Sequence, residues 1–251
     1  MKAAERRLEL RDIFERQEFA DLGALRKRLR ASESTLRRDL MALEREGVLR
    51  RVHGGALAVQ ERDQPYDFAG QSARMAEAKA RIARATAGLL EDGQVVILDG
   101  GSTVAAVARE IAARSLHVLT NSLPIADLLQ HSRSVELTLT GGTFYPRLGV
   151  LLGPLSEHTL GAVSADVLVM GTGGVTESGF TNNNALLVGS ERKMIEVARE
   201  VVIVADHTKF GRAAMFPLAP LGAAQVVVSD AGLDPRHQEM LRGQGVRLIL
   251  A

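Results

Sequence analysis

Apolar residues recur at helical spacing in three short blocks near the start of the chain. Leu10, Ile13, Phe14 and Gln17 share one face, which predicts a first helix around 5–17. Asp21 is placed to cap a second, short helix whose Leu22, Leu25 and Leu29 face inward. Ser32 precedes a third helix over roughly 33–46, which stops at Gly47. Serine is a favoured N-cap, and glycine is favoured just past a helix end. On this third helix Leu36, Leu40 and Leu43 fall within about 60° of arc, while Met41, Ser34, Arg45 and Arg38 collect opposite them, with Arg37 nearby at about 100°. Val48–Val52 is β-prone, and His53-Gly54-Gly55 makes a tight turn. Three tightly connected helices followed by a hairpin predict a winged helix-turn-helix over 1–59.

The pattern changes after residue 60. Gln60 to Pro65 is polar and lacks apolar periodicity, so 60–73 reads as a linker. A helix is expected over 71–90, with Ala80, Ile82, Ala83, Ala87 and Leu90 inward. From residue 94, runs of Val, Ile and Leu alternate with helical segments: QVVILD, LHVLT, VELTLT, DVLVM, VVIVAD, VVVSD and VRLIL. Continuous apolar strands alternating with helices predict an α/β domain over 74–251, a mostly parallel sheet covered on both faces.

Composition narrows the function classes. Hydrophobic residues make up 46% of the 251 and charged residues 24%, enough apolar surface for a sizeable core. With no cysteine, disulfide scaffolds, thiolate zinc sites and cysteine nucleophiles drop out. No apolar run reaches membrane-spanning length, and the charged N-terminus is unlike a signal peptide, so a cytoplasmic protein without a membrane partner is expected. Net charge is +1, unevenly spread. Residues 1–60 hold 14 Lys and Arg against 10 Asp and Glu, and the remainder holds 17 against 20. A mildly basic head on a mildly acidic body fits a nucleic-acid-binding module fused to another domain.

Ser34, Thr35, Arg37, Arg38, Met41 and Arg45 on the third helix, with Arg50, Arg51 and His53 on the hairpin, form the candidate DNA-binding set. Such side chains donate to phosphates and to guanine edges, and the N-terminal half of the helix is the part expected to reach bases. Alone, Arg37, Arg38 and Arg45 read as a solvated helix face paired with Asp39 and Glu44. The second candidate set follows the strands. Asp99, Gly101, Ser102 and Thr103 follow the first, Asn121 and Ser122 the second, Gly141 and Gly142 the third, Gly171 and Gly173 the fourth, and Lys209 the fifth. In an open α/β sheet ligands bind outside the carboxyl ends of the strands. A helix N-terminus at Ser102–Thr103 and a lysine favour a phosphate. Gly141-Gly142 alone reads as a turn, and Lys209 alone as a solvated lysine. No G-x-G-x-x-G opens the first βαβ unit and no P-loop occurs, so no dinucleotide, cofactor or metal is expected.

TLRRDLMALEREGVLRRVHGGA resembles the signature of the DeoR-type family of bacterial transcriptional repressors, a match running from Ser32 to Ala56. LDGGST, TNS at 120–122, Gly141-Gly142 with Arg147 downstream, 171–180 and ADHTKFGR at 205–212 are similar to that family as well. The resemblance implies a C-terminal domain related to sugar-phosphate isomerases of the ribose phosphate isomerase type. It also implies a phosphorylated sugar as effector, double-stranded operator DNA as partner, and a repressor of carbohydrate genes. Leu187-Val188-Gly189-Ser190-Glu191 departs from the acidic residue and lysine that many members carry there. Helix-turn-helix readers act on repeated half-sites, so a homodimer or homotetramer is expected. The competing expectation is an active sugar-phosphate isomerase with an added head. For that chemistry the only carboxylates placed near the strand edge are Asp99, Glu177 and Asp206.

Overall fold

The computed structural model describes residues 3–17, 19–45, 48–52, 54–58 and 68–251. The chain divides into two units, Met1–Pro65 and Tyr66–Ala251.

In the first unit α1 spans Ala3–Arg16, β1 Phe19–Asp21, α2 Leu22–Leu29, α3 Glu33–Arg45, β2 Leu49–Val52 and β3 Gly55–Ala58. Asp21 caps α2 by accepting the Ala24 amide at 3.0 Å, and Ser32 Oγ accepts the Thr35 amide at 3.3 Å at the start of α3. Both caps satisfy donors that a helix start leaves open. Leu36, Leu40 and Leu43 are buried against Leu10, Ile13, Phe14, Leu25 and Leu29. The three strands pair antiparallel in the order β1-β3-β2. His53 and 59–67 lie outside the described residues, as do the side chains of Arg45 and Arg50.

The second unit opens with α4 (Phe68–Ala73) and α5 (Ala76–Ala87). These replace the single helix expected over 71–90, and α4 also takes residues from the expected linker. The break is Met75, whose left-handed φ of 51° no continuous helix accommodates. Ala78, Ile82 and Ala83 are buried as part of the inward face of α5, while Ala80 and Ala87 are only half-buried.

Next come β4 (Val95–Leu98), α6 (Ser102–Ile111), β5 (Leu116–Thr120), α7 (Leu123–Leu129) and β6 (Val135–Leu139). A hairpin follows, β7 (Thr143–Tyr145) and β8 (Val150–Leu152), then α8 (Pro154–Gly161) and β9 (Ala165–Met170). After β10 (Gly174–Thr176) and β11 (Gly179–Asn182) come α9 (Ala185–Val197), β12 (Ala198–Val204), β13 (Phe216–Ala219), β14 (Val226–Ser229), α10 (Pro235–Gly243) and β15 (Arg247–Leu250).

Seven strands form one parallel sheet in the order β15-β14-β12-β9-β4-β5-β6. One face buries Ile82, Val104, Val107, Ile111, Ile125 and Leu129 from α5, α6 and α7. The other buries Leu160, Met194 and Leu241 from α8, α9 and α10. The chain builds outward from β4 through β5 to β6, then crosses to β9 and builds the other way. The reversal between β4 and β9 is the topological switch point, where two neighbouring loops leave the sheet in opposite directions and open a crevice. The hairpin β7-β8, the small sheet β10-β11-β13 and helix α8 are not anticipated by the strand–helix alternation.

Candidate functional site

Helix α3 presents Ser34, Arg37, Arg38 and Met41 as exposed residues on the side away from its leucine stripe, with Thr35 half-buried. Arg37 and Arg38 do not form the expected pairing with Asp39 and Glu44, and the Arg45 side chain lies outside the described residues. Asp39 is buried and turned to α1, where Arg6 Nε donates to it at 2.5 Å and Arg7 Nε at 3.2 Å. Glu44 accepts the Arg51 amide at 2.9 Å and Arg51 Nε at 2.6 Å, bonds that hold its carboxyl below the ordinary value. Arg37 binds Glu33 one turn back at 2.7 Å. Arg38 is exposed and has no side-chain partner among the described residues.

In the second unit the carboxyl ends at the switch point line one cleft. Ser102 and Thr103 open α6, Gly171 and Thr172 follow β9, Asp206 and Lys209 follow β12, and Gln71 and Lys79 reach it from α4 and α5. Gly101 precedes α6 with φ of 125°, a conformation that suits glycine, and offers no side-chain cap. The first-turn amides of α6 thus face the loop together with the Ser102 and Thr103 hydroxyls, which have no protein partner among the described residues. Lys209 sits in a short turn fixed by its neighbours. Asp206 accepts the Thr208 amide at 3.1 Å, and Asp230 accepts the His207 amide at 2.7 Å while facing the His207 ring Nδ1 at 2.8 Å.

Asp99 and Asn121, at the ends of β4 and β5, are 3% and 0% exposed. They share their surroundings with Glu191 of α9, 2% exposed, which accepts Asn182 Nδ2 at 2.5 Å. Asp99 Oδ1, both side-chain polar atoms of Asn121, Ser190 Oγ and Glu191 Oε2 are buried without hydrogen-bond partners. Neither carboxyl has a cation within ion-pair distance among the described residues. Burial pushes the Asp99 carboxyl up to about 7, against the Gly100 amide and the nearby Asn121 side chain, which pull it down although Asn121 forms no hydrogen bond of good geometry. Burial and then the charge of Asp99 raise Glu191 well above the ordinary range. Buried polar groups are normally satisfied, so this cluster has unmet capacity, mostly for accepting hydrogen bonds.

The remaining candidates are placed elsewhere. Ser122 Oγ accepts the Ile125 amide at 3.4 Å and so caps α7. Gly141 and Gly142 lead into the β7-β8 hairpin, and Arg147 is exposed on its turn. Gly173 donates its amide to Thr181 O at 2.9 Å. None of these lines the cleft. Glu177 is exposed and lies 3.1 Å from Arg236. Gln71, Lys79 and Thr172 are not among the sequence candidates, and Glu191 appears there only as the end of the departing 187–191 segment. A lysine at an inward position of α5, beside Ala78 and ahead of Ile82 and Ala83, is the signal that could have found Lys79.

The model of the DeoR-like helix-turn-helix domain matches residues 6–62, and that of the DeoR C-terminal sensor domain matches residues 74–231. The chain belongs to the DeoR family. It is a transcriptional regulator, with a winged helix-turn-helix for DNA and a sensor domain on a parallel α/β sheet. The HTH-type transcriptional repressor GlcR of Bacillus subtilis is 31% identical over 222 residues, covering 88% of this chain and 86% of that protein. The glycerol-3-phosphate regulon repressor of Escherichia coli K12 is 32% identical over the full length of both chains. Among solved structures, ribose 5-phosphate isomerase A from Methanocaldococcus jannaschii is similar at 19% identity and TM-score 0.41 over 54% of each chain. As a DeoR-family member the chain carries its arginine-bearing α3 in the helix-turn-helix region and its cleft within the sensor region. No helix among the described residues is long and apolar enough to cross a membrane.

Proposed function

We propose that this regulator is a cytoplasmic repressor of carbohydrate genes whose hold on its operator is set by a phosphorylated sugar. Ser34, Thr35, Arg38 and Met41 read a half-site in the major groove, and Arg37, Arg45, Arg50, Arg51 and His53 hold the adjacent phosphates. The effector's phosphate sits at the α6 N-terminus against Gly101, Ser102, Thr103, Gly171 and Lys209. Its hydroxyls meet the unpartnered acceptors of Asp99, Asn121 and Glu191. The observation that carries this reading is the cleft itself. An uncapped helix start, two unused hydroxyls and a lysine come together at the switch point of the sheet. Helix start and lysine each favour an anion, and neither would be decisive alone. The protein acts as a homodimer or homotetramer, because operators built of repeated half-sites call for paired readers.

The test is a thermal-unfolding screen of the full chain against sugar phosphates, with the unphosphorylated sugars as controls. Glycerol 3-phosphate belongs in the panel, since a relative is named for that regulon. A true effector at a hundredfold excess over its Kd raises Tm by about 5 °C or more. Equal shifts from unphosphorylated sugars, or none from any phosphate, would refute the assignment.

One observation favours a second reading. The buried Asp99–Glu191 pair, with raised pKa values, is the kind of site that moves protons between adjacent carbons. Binding without turnover remains our reading, on the strength of the regulator relatives. Interconversion of aldose and ketose phosphates by the purified protein, abolished in Asp99→Asn, would reverse it.

A further inference from the structure

Asp99, Asn121 and Glu191 come from three elements, the ends of β4 and β5 and the middle of α9, and all three are withdrawn from water. Asp99 Oδ1, Asn121 Oδ1 and Glu191 Oε2 have no hydrogen-bond partner among the described residues, and neither has Ser190 Oγ, next to Glu191 in the chain. The three side chains are electrostatic neighbours. Asn121 pulls the Asp99 carboxyl down, and the charge of Asp99 pushes the Glu191 carboxyl up. The basic residues that follow Glu191 are engaged elsewhere. Arg192 donates to the Leu218 carbonyl at 3.0 Å and the Pro217 carbonyl at 2.7 Å, and Lys193 pairs with Glu196 at 2.9 Å. The β7-β8 hairpin closes over the same corner. A Cβ at Gly100 would stand 2.4 Å from Val150 Cγ1, and Leu151 donates its amide to the Asn121 carbonyl at 2.7 Å.

We infer that Asp99, Asn121 and Glu191 form a receptor for an ammonium group, so that the effector belongs to the phosphorylated amino sugars. This rests on the reading of the neighbouring cleft as a phosphate site, and the ammonium takes the place of one of the effector's hydroxyls. Three unpartnered acceptor oxygens match the three N–H donors of an ammonium, whereas a hydroxyl brings one donor and two lone pairs of its own. A buried charge without a partner is costly, and a like charge beside it adds to the cost. A cation between Asp99 and Glu191 removes both penalties, which a neutral hydroxyl does not. Bonds between ionised groups are also about twice as strong as neutral ones. Asp99 stands three residues before Ser102, so its Cα lies within about 11 Å of the first residue of α6. A hexose ring with its amine on one side and its phosphate on the other fits between the two.

Titration calorimetry of the full chain at pH 7 with matched ligands tests this. Glucosamine 6-phosphate is compared with glucose 6-phosphate, and galactosamine 6-phosphate with galactose 6-phosphate, each pair differing only by an amine for a hydroxyl. In the unaltered protein the amine of at least one pair binds about tenfold tighter than its hydroxyl partner. In Asp99→Asn and in Glu191→Gln, which keep the shape and remove the charge, that ratio falls toward one. No preference for the amine in either pair overturns the ammonium receptor, while binding of these phosphates above the unphosphorylated sugars leaves the phosphate cleft standing. No binding by any of the four overturns the amino-sugar class, and the wider panel of sugar phosphates then decides the cleft separately. A preference that survives both substitutions places the ammonium elsewhere and overturns the assignment to these residues. The unaltered protein decides whether the amine is preferred even if a variant fails to fold.

Discussion

Among the described residues Asp99 has no cation beside it, and that sets its behaviour with pH. Its ordinary pKa is 3.8, and burial moves it to about 7. Between those values the folded chain keeps a proton that the unfolded chain has lost. The stability this group contributes is therefore full below pH 4, declines as pH rises through 7 and is absent above it. Asp99→Asn removes the penalty. In ligand-free protein above pH 7 the variant's sensor unit should melt about 2–4 °C higher, the shift that 1 kcal/mol produces in a unit of this size. Its Tm should also vary less between pH 5 and pH 8. Calorimetry across that range checks both, and a variant that melts lower at pH 8 would show that the Asp99 charge is satisfied by something else. The sequence announced Asp99 through its place before two glycines. It did not announce Glu191, because only the folded α9 brings that residue to Asp99 from far along the chain.

At the scale of elements, α3 is held to α1 by a buried ion pair rather than by leucines alone. Arg6 and Asp39 are largely withdrawn from water. Removing one partner of such a pair leaves a stranded charge and costs about 3–5 kcal/mol, a large part of what a small unit has in total. Asp39→Ala should thus unfold or loosen the first unit, seen as a separate low-temperature transition with loss of DNA binding. The melting of the sensor unit and its ligand affinity should not change. A single unchanged melting profile would mean the pair contributes nothing net. The elements that patterning reveals are those with a strong period: the leucine stripe of α3 and the seven strands of the main sheet. Strands β7, β8, β10, β11 and β13 are only three or four residues long, too short for a local pattern to stand out. The break between α4 and α5 is invisible because Met75 adopts a left-handed conformation that its side chain does not advertise. The order of strands across the sheet, and with it the switch point, follows from long-range pairing that no local window contains.

For the molecule as a whole, the question is whether the two proposed anion-binding surfaces answer to one another. Arg38 belongs to the first unit and Lys209 to the second, so the two substitutions probe the two units separately. Arg38→Ala should lower operator affinity by about tenfold or more, the cost of one good base or phosphate contact, and leave effector affinity as it was. Lys209→Ala should do the reverse. If the effector is an inducer, it weakens operator binding by some factor, and the operator must weaken effector binding by the same factor, since coupling free energy is shared. Titrations of effector with and without operator DNA, and of DNA with and without effector, measure that factor from both sides. They must be made at one salt concentration, because the phosphate contacts of the DNA-binding unit make affinity fall steeply with added salt. Factors of one from both sides would show that the ligand does not act through operator affinity.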